Sequence, residues 1–251
     1  MEDAILSEND LTRYSRQIMV PDFGEEGQRK LKRAHAVVAG VGGLGSPASI
    51  YLACAGVGHV TLIDCDFVEL SNLNRQILHY EDDIGEKKTV SAARKLTRLN
   101  PQVEVTPLFE RITEDNAKEL IKGVDVVVDG LDSFESRLTL NSACVNMRIP
   151  FIHGGIWGLL GQVTTIIPGK TPCLSCITPE LPEKKMTFPA FGVTPAVIGS
   201  LEATEAIKLL SDFGDLLAGK ALYFNGENMS VSLVEITRRT DCEICGKEVI
   251  T

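Results

Sequence analysis

The chain has 251 residues, 44% of them hydrophobic and 24% charged, enough to bury one sizeable core with at most a small appendage, which excludes a disordered chain. Its formal net charge of -9 repels phosphate backbones and anionic membrane surfaces, and no basic patch is concentrated anywhere, so neither nucleic acid nor a membrane is expected as a partner. The acidic start "MEDAILSENDLTRYSRQ" lacks the basic-then-apolar pattern of a secretory signal, which leaves the cytoplasm as the expected location.

In chain order, "SENDLTRYSRQIM" opens with a capping Ser7 and reads as a short polar helix, followed by a charged one over "GEEGQRKLKRA". The longest uncharged stretch, Ala34 to Ile63, carries six glycines and a proline. Punctuation of that kind fits a buried strand–helix–strand unit better than a membrane span. From there strands at 35–40, 59–64, 103–107, 124–130 and "PFIHGG" alternate with helices at 44–56, 86–100, 114–121 and 134–147. Such alternation predicts a parallel, doubly wound α/β sheet. After Gly155 the rhythm changes to "GLLGQVTTIIP", "KALYFNG" and "MSVSLVEIT", with one helix at 196–211. These predict antiparallel strands that complete a mixed, Rossmann-like sheet. One domain is expected over 1–251: helices in 1–34, a nucleotide-binding half over 35–155 and a second half over 156–251.

The first strand runs into "AGVGGLGSP", a G-x-G-x-x-G pattern whose glycines let backbone N–H groups approach phosphates, with Gly42 and Gly43 nearest the ligand. Asp64 ends the next strand, where a carboxylate can accept hydrogen bonds from ribose hydroxyls. Pattern and acid fit NAD and ATP equally. The following "DCDFVELSNLNRQILH" places Asp66, Asn72, Asn74, Arg75 and Gln76 beside the nucleotide, and Lys88 starts the next helix. Guanidinium and ammonium groups there suit a polyphosphate better than a nicotinamide ring. The fourth strand ends in "VVVDGLDSFESR", offering Asp129, Asp132 and Ser133. Cations plus a carboxylate for magnesium are the parts that phosphoryl or nucleotidyl transfer needs.

Of seven cysteines, four form two C-x-x-C turns, Cys173/Cys176 and Cys242/Cys245. Two such turns make a closed tetrahedral site for structural zinc, tying the C-terminal segment to the proline-rich one. Cys54, Cys65 and Cys144 are expected to fill the core.

These residues resemble the ThiF/MoeB/HesA family, the ubiquitin-activating-enzyme-like adenylyltransferases, closest to its MoeB-like members. The resemblance runs nearly end to end: "RYSRQI" at 13–18, "GVGGLGSP" at 40–47, "DCDFVELSNLNRQILH" at 64–79, "GEKKTVSAARKLTRLNP" at 85–101, "DGLDSFESRLTLN" at 129–141 and both cysteine pairs. It implies an enzyme that uses MgATP to adenylate the C-terminal glycine of a small ubiquitin-like sulfur carrier ending in Gly-Gly, releasing pyrophosphate. A separate sulfur donor then makes a thiocarboxylate for molybdopterin, thiamine or a related pathway. By matched position, Gly43 and Asp64 hold the nucleotide, while Asn72, Arg75, Gln76 and Lys88 contact the phosphates. Asp132 organises magnesium and the reacting carboxylate. Arg16 matches an arginine that reaches into the partner's site of a homodimer. One departure concerns the loop cysteine that several relatives join to the carrier: its position falls around Phe188, and no cysteine stands between Cys176 and the late helix. Two alternatives stay open: a dehydratase activating a carboxylate on a tRNA nucleoside, against which the negative charge counts, and an NAD-dependent oxidoreductase.

Overall fold

The computed structural model describes residues 5–178 and 189–246, so the region around Phe188 lies outside the described residues. Ser7 caps α1 (Glu8–Arg13) in a capping box with Asp10. The expected first helix then breaks at Tyr14, and α2 (Ser15–Ile18) follows. Tyr14 leaves helical geometry to bury its ring, where its hydroxyl accepts a hydrogen bond from Asn100 at 2.8 Å. A third helix, α3 (Gly24–Arg33), completes the entry to the sheet.

β1 (His35–Ala39), α4 (Gly45–Ala55), β2 (His59–Asp64), α5 (Lys88–Leu99), β3 (Glu104–Phe109), α6 (Ala117–Leu120), β4 (Val126–Asp129), α7 (Phe134–Met147) and β5 (Phe151–Trp157) alternate as the sequence predicts. The second half comprises β6 (Leu160–Ile166), α8 (Leu174–Ile177), α9 (Val193–Ser211), β7 (Lys220–Asn225) and β8 (Ser230–Glu235). The sheet order is β3-β2-β1-β4-β5-β6-β7-β8. The pairings from β3 to β5 are parallel and those from β5 to β8 antiparallel. This is the mixed Rossmann-like sheet, with hydrogen bonding unbroken across both halves.

Boundaries shift for physical reasons. The helix expected at 114–121 shrinks to the single turn of α6, since "TEDN" spends its side chains on a turn in which Asn116 accepts from the Thr113 amide. Late helix α9 starts three residues earlier than expected, because Pro195 falls in its first turn, where a missing N–H breaks no helical bond. β3 extends to Phe109 with Pro107 inside it, tolerated on an edge strand.

Alternation along β1 sends Ala36 and Val38 to one face, against α3, α4, α5 and α9, and Val37 and Ala39 to the other, against α6, α7 and α8. Two apolar layers therefore cover a sheet that is buried on both sides at its centre. Of the three cysteines expected in the core, only Cys144 is buried; Cys54 is exposed and Cys65 half-buried. Cys65 leaves the core because it follows the last residue of β2 and lines the cavity described next.

Candidate active site

The strand order reverses between β1 and β4, and the loops after β1, β2 and β4 open there, at the carboxyl edge where doubly wound sheets bind ligands. The glycine loop is set by close packing. A Cβ at Gly45 would stand 1.8 Å from the Gly40 carbonyl oxygen, and one at Gly130 would stand 2.4 Å from the same atom. Gly40 itself has φ of 88°, a conformation that L side chains rarely adopt. These three glycines bring the ends of β1 and β4 into contact. Gly42 and Gly43 are different: an added Cβ would meet only Gln76 at 3.5 Å in the first case, and Pro195 and Arg75 from 3.2 Å in the second. No side chain caps the N-terminus of α4 beyond them, which leaves it the property of an anion-binding helix end.

Asp64 fastens this loop. One of its carboxylate oxygens accepts from the Val41 amide at 2.8 Å and the other from the Asp66 amide at 2.8 Å. Burial raises its pKa; the Lys88 charge and the two amides pull the other way without cancelling that rise. Each oxygen keeps a free lone-pair direction, enough to receive a ribose hydroxyl. From the other side His79 holds the carbonyl of Val41 through Nε2 at 3.1 Å, so Nε2 carries the proton and Nδ1 accepts from the Ser91 hydroxyl at 3.0 Å. Burial lowers the His79 pKa, keeping the ring neutral.

A polar cavity of about 410 Å³ lies beside the loop, its walls including Asp66, Asn72, Arg75, Gln76, Lys88 and Asp132, with Cys65. Its volume is within the range of small-molecule sites. Lys88, only 7% exposed, pairs with Asp66 at 3.0 Å, and its own amide donates to the Asp66 carbonyl. The Arg75 guanidinium is steered by the Ser71 carbonyl at 2.9 Å and the Asn74 side chain at 3.0 Å. Gln76 is buried, and its side-chain oxygen has no partner among the described residues. An orphaned acceptor awaiting a donor such as a hydroxyl, with the cations of Arg75 and Lys88 beside it, fits a bound nucleotide.

Of the residues named from sequence, Gly42, Gly43 and Asp64 shape the adjoining loop. Ser133 is the N-cap of α7, accepting from the Ser136 amide, and is not among the wall residues. Arg16 sits exposed on α2 and does not line the cavity of its own chain. Asp129 is fully buried rather than open to the ligand. It accepts from His153 Nδ1 at 2.6 Å and from the Leu131 amide at 3.1 Å, with Arg137 Nε 3.5 Å away. Burial lowers the His153 pKa, and the Asp129 hydrogen bond recovers only part of that. Sequence reading missed His79, Arg137 and His153. Their only signal was position: His79 in the polar loop after β2, Arg137 just past the carboxylate-bearing end of β4, and His153 within the next strand.

The four cysteines converge as expected. Cys173 and Cys242 sulfurs are 3.6 Å apart, those of Cys176 and Cys245 3.4 Å, and all four lie within 4.8 Å of one another, buried. Four thiolates about 2.3 Å from a zinc ion would lie roughly 3.8 Å apart, so the donor set fits a closed zinc site. A disulfide, with sulfurs at about 2 Å, does not.

The sequence matches the ThiF family over residues 14–244. It is 42% identical over 247 residues to the SAMP-activating enzyme E1 of Haloferax volcanii, covering 96% of this chain and 91% of that one. It is 40% identical over 253 residues to the sulfur carrier protein adenylyltransferase of Thermus thermophilus, covering 96% and 93%. In three dimensions it is similar to the crystal structure of E. coli MccB + ATP, with a TM-score of 0.84 and 28% identity over 93% of this chain and 74% of that one. Glycine loop, the acid at the end of β2, cationic cavity, cysteine cluster and these likenesses agree: the chain belongs to the ThiF family.

Proposed function

We propose that this protein is an ATP-dependent adenylyltransferase acting on the C-terminal glycine carboxylate of a small ubiquitin-like sulfur carrier that ends in Gly-Gly. The observation that carries the reading is the joint placement of Arg75, Lys88, Asp66 and Asp132 in one cavity beside Gly42, Gly43 and Asp64. Asp64 takes the ribose; Asn72, Gln76, Arg75 and Lys88 take the phosphates. A carboxylate is a weak nucleophile facing an anionic α-phosphorus, so the chain must work by alignment and charge neutralisation. The carrier's carboxylate oxygen bonds to the α-phosphorus as the bond to pyrophosphate breaks, leaving an acyl-adenylate. Arg75 and Lys88 offset the charge gathering on the leaving pyrophosphate. Magnesium, when bound, would add to the neutralisation of phosphate charge. Asp132, with Asp66, is the carboxylate placed to hold it.

The remaining parts of the reading follow the same logic. Residues 1–251 act as one adenylation domain, working in the cytoplasm as a homodimer in which Arg16 serves the partner's cavity. The sulfur donor is a separate molecule, and the carrier feeds molybdopterin, thiamine or a related thio-cofactor. Zinc in the four-cysteine site is structural, because no coordination position is left for substrate. The names of the Haloferax and Thermus relatives support a carrier over a tRNA nucleoside or a nicotinamide substrate.

ATP–pyrophosphate exchange tests the reading. Exchange is expected only when a Gly-Gly-terminated carrier is added, and Asp132→Ala should lower it by about a hundredfold or more while leaving the fold intact. Exchange without carrier, or at an unchanged rate in Asp132→Ala, would overturn it.

A further inference from the structure

The loop that carries Asp132 has an unusual support. Leu131, the residue before it, is gripped through both of its backbone polar groups by buried side chains. Its amide donates to Asp129 Oδ1 at 3.1 Å. Its carbonyl accepts twice from one guanidinium, from Arg137 Nε at 3.1 Å and Nη2 at 2.6 Å. Arg137 reaches back from the first turn of α7 with its side chain only 11% exposed, and its Nε stands 3.5 Å from the second Asp129 oxygen. That oxygen accepts from His153 Nδ1 at 2.6 Å on neighbouring β5. An oxygen that only accepts fixes the imidazole tautomer, leaving His153 Nε2 as an acceptor toward the Gln162 amide at 3.5 Å. The chain of contacts thus runs from β6 through β5 and β4 to the loop, and closes through α7.

We infer that Asp129, His153 and Arg137 form a buried brace that sets the position of Asp132, making Arg137 a positioning residue for the transfer reaction. The inference rests on the role given to Asp132 above. Three features support it. A guanidinium fork on a single carbonyl restrains direction as well as distance, which an ammonium cannot do. Asp129, with no exposed surface, faces no ligand and so serves the reaction only through what it holds. The loop is otherwise held at its two ends, where the Gly130 amide donates to the Ala39 carbonyl at 2.7 Å and the Ser133 hydroxyl accepts from the Ser136 amide at 3.2 Å; between them Asp132 is exposed and Leu131 half-buried. A misplacement of about 1 Å in a reacting group can cost about a hundredfold in rate, and a main-chain grip on the adjacent residue is the means to prevent it.

A double-mutant cycle separates this role from ordinary stabilisation. Arg137→Lys keeps the charge and removes the fork. In single-turnover formation of acyl-adenylate it should lower the rate by at least about tenfold, with KM for ATP changed by less than about threefold. In the Asp132→Asn background the same substitution should change the rate by less than about twofold, because the group it positions is already disabled. Amide hydrogen exchange gives a readout apart from activity: residues 130–133 should exchange faster in Arg137→Lys while the middle of α7 stays protected. Asp129→Asn, isosteric but without the charge that faces Arg137, should show a weaker version of both effects. Equal losses in the two backgrounds, or unchanged exchange at 130–133, would overturn the brace. Should Asp132→Asn react at the wild-type rate, the role of Asp132 fails instead, and the loop's hydrogen exchange still decides whether Arg137 holds it. The same measurement decides the matter if the Asp132→Asn rate is too low to read.

Discussion

At the scale of single residues, the molecule spends polar groups where they hold backbone. Asp64, His79, Asp129 and Arg137 all bind main-chain atoms of loops that border the cavity. Glu202 on α9 does the opposite. It is fully buried, its carboxyl is pressed against Gly154, where a Cβ would stand 2.5 Å from Cδ, and among the described residues neither oxygen makes a well-formed hydrogen bond. Burial, and next the Asp129 charge, raise its pKa well above the ordinary value of 4.5, with Arg137 opposing them. A carboxyl with a raised folded pKa contributes its full stability below the unfolded value and loses it as pH climbs toward the folded one. Glu202→Gln keeps the shape and removes that loss. Thermal melts should show the variant gaining on wild type from about pH 5 to pH 8, by several degrees; parallel melting curves across that range would refute it.

Among the elements, the cysteine cluster joins the single turn of α8 to the loop after β8, where Leu174, Ile177 and Ile244 pack beside it in the second apolar layer. Metal analysis should find about one zinc per chain. Cys242→Ser should lose it and melt several degrees lower, since a structural site adds its binding energy to folding; a metal-free wild type of unchanged stability would remove zinc from the account. This site was fully legible in the sequence because ligand spacing is written along the chain. The order and kind of the strands and the presence of the glycine loop were legible too, because period and punctuation are local, though the strand ends were not. Arg137 and His153 were not legible. They act on a backbone carbonyl and on a buried carboxylate, neither of which has a sequence pattern; the β4–β5 pairing sets His153 beside Asp129, and Arg137 comes to them from the first turn of α7. The same reason hid the difference among glycines. Gly40, Gly45 and Gly130 are fixed by each other's backbone, while Gly42 and Gly43 meet only side chains, those of Gln76, Pro195 and Arg75.

For the whole molecule, the sheet is continuous, yet among the described residues the cations lining the cavity are Arg75 and Lys88, and Arg16 lies elsewhere. If Arg16 serves the second copy of a dimer, two inactive variants should repair one another. Mixing Arg16→Ala with Asp132→Ala under conditions of subunit exchange should restore about a quarter of wild-type activity, since half the dimers are mixed and each holds one complete cavity. No recovery in dimers shown to have exchanged would confine Arg16 to its own subunit. The placement of the cysteines also bears on how the protein is made. Cys173 and Cys242 are 69 residues apart, with α9, β7 and β8 between the pairs. On the ribosome the first pair emerges long before the second, so a metal ion held by all four sulfurs can be captured only after the last strands of the sheet have been synthesised. A filled four-sulfur site would therefore record completed translation: a chain that stops after β5 keeps the parallel strands and lacks the second cysteine pair.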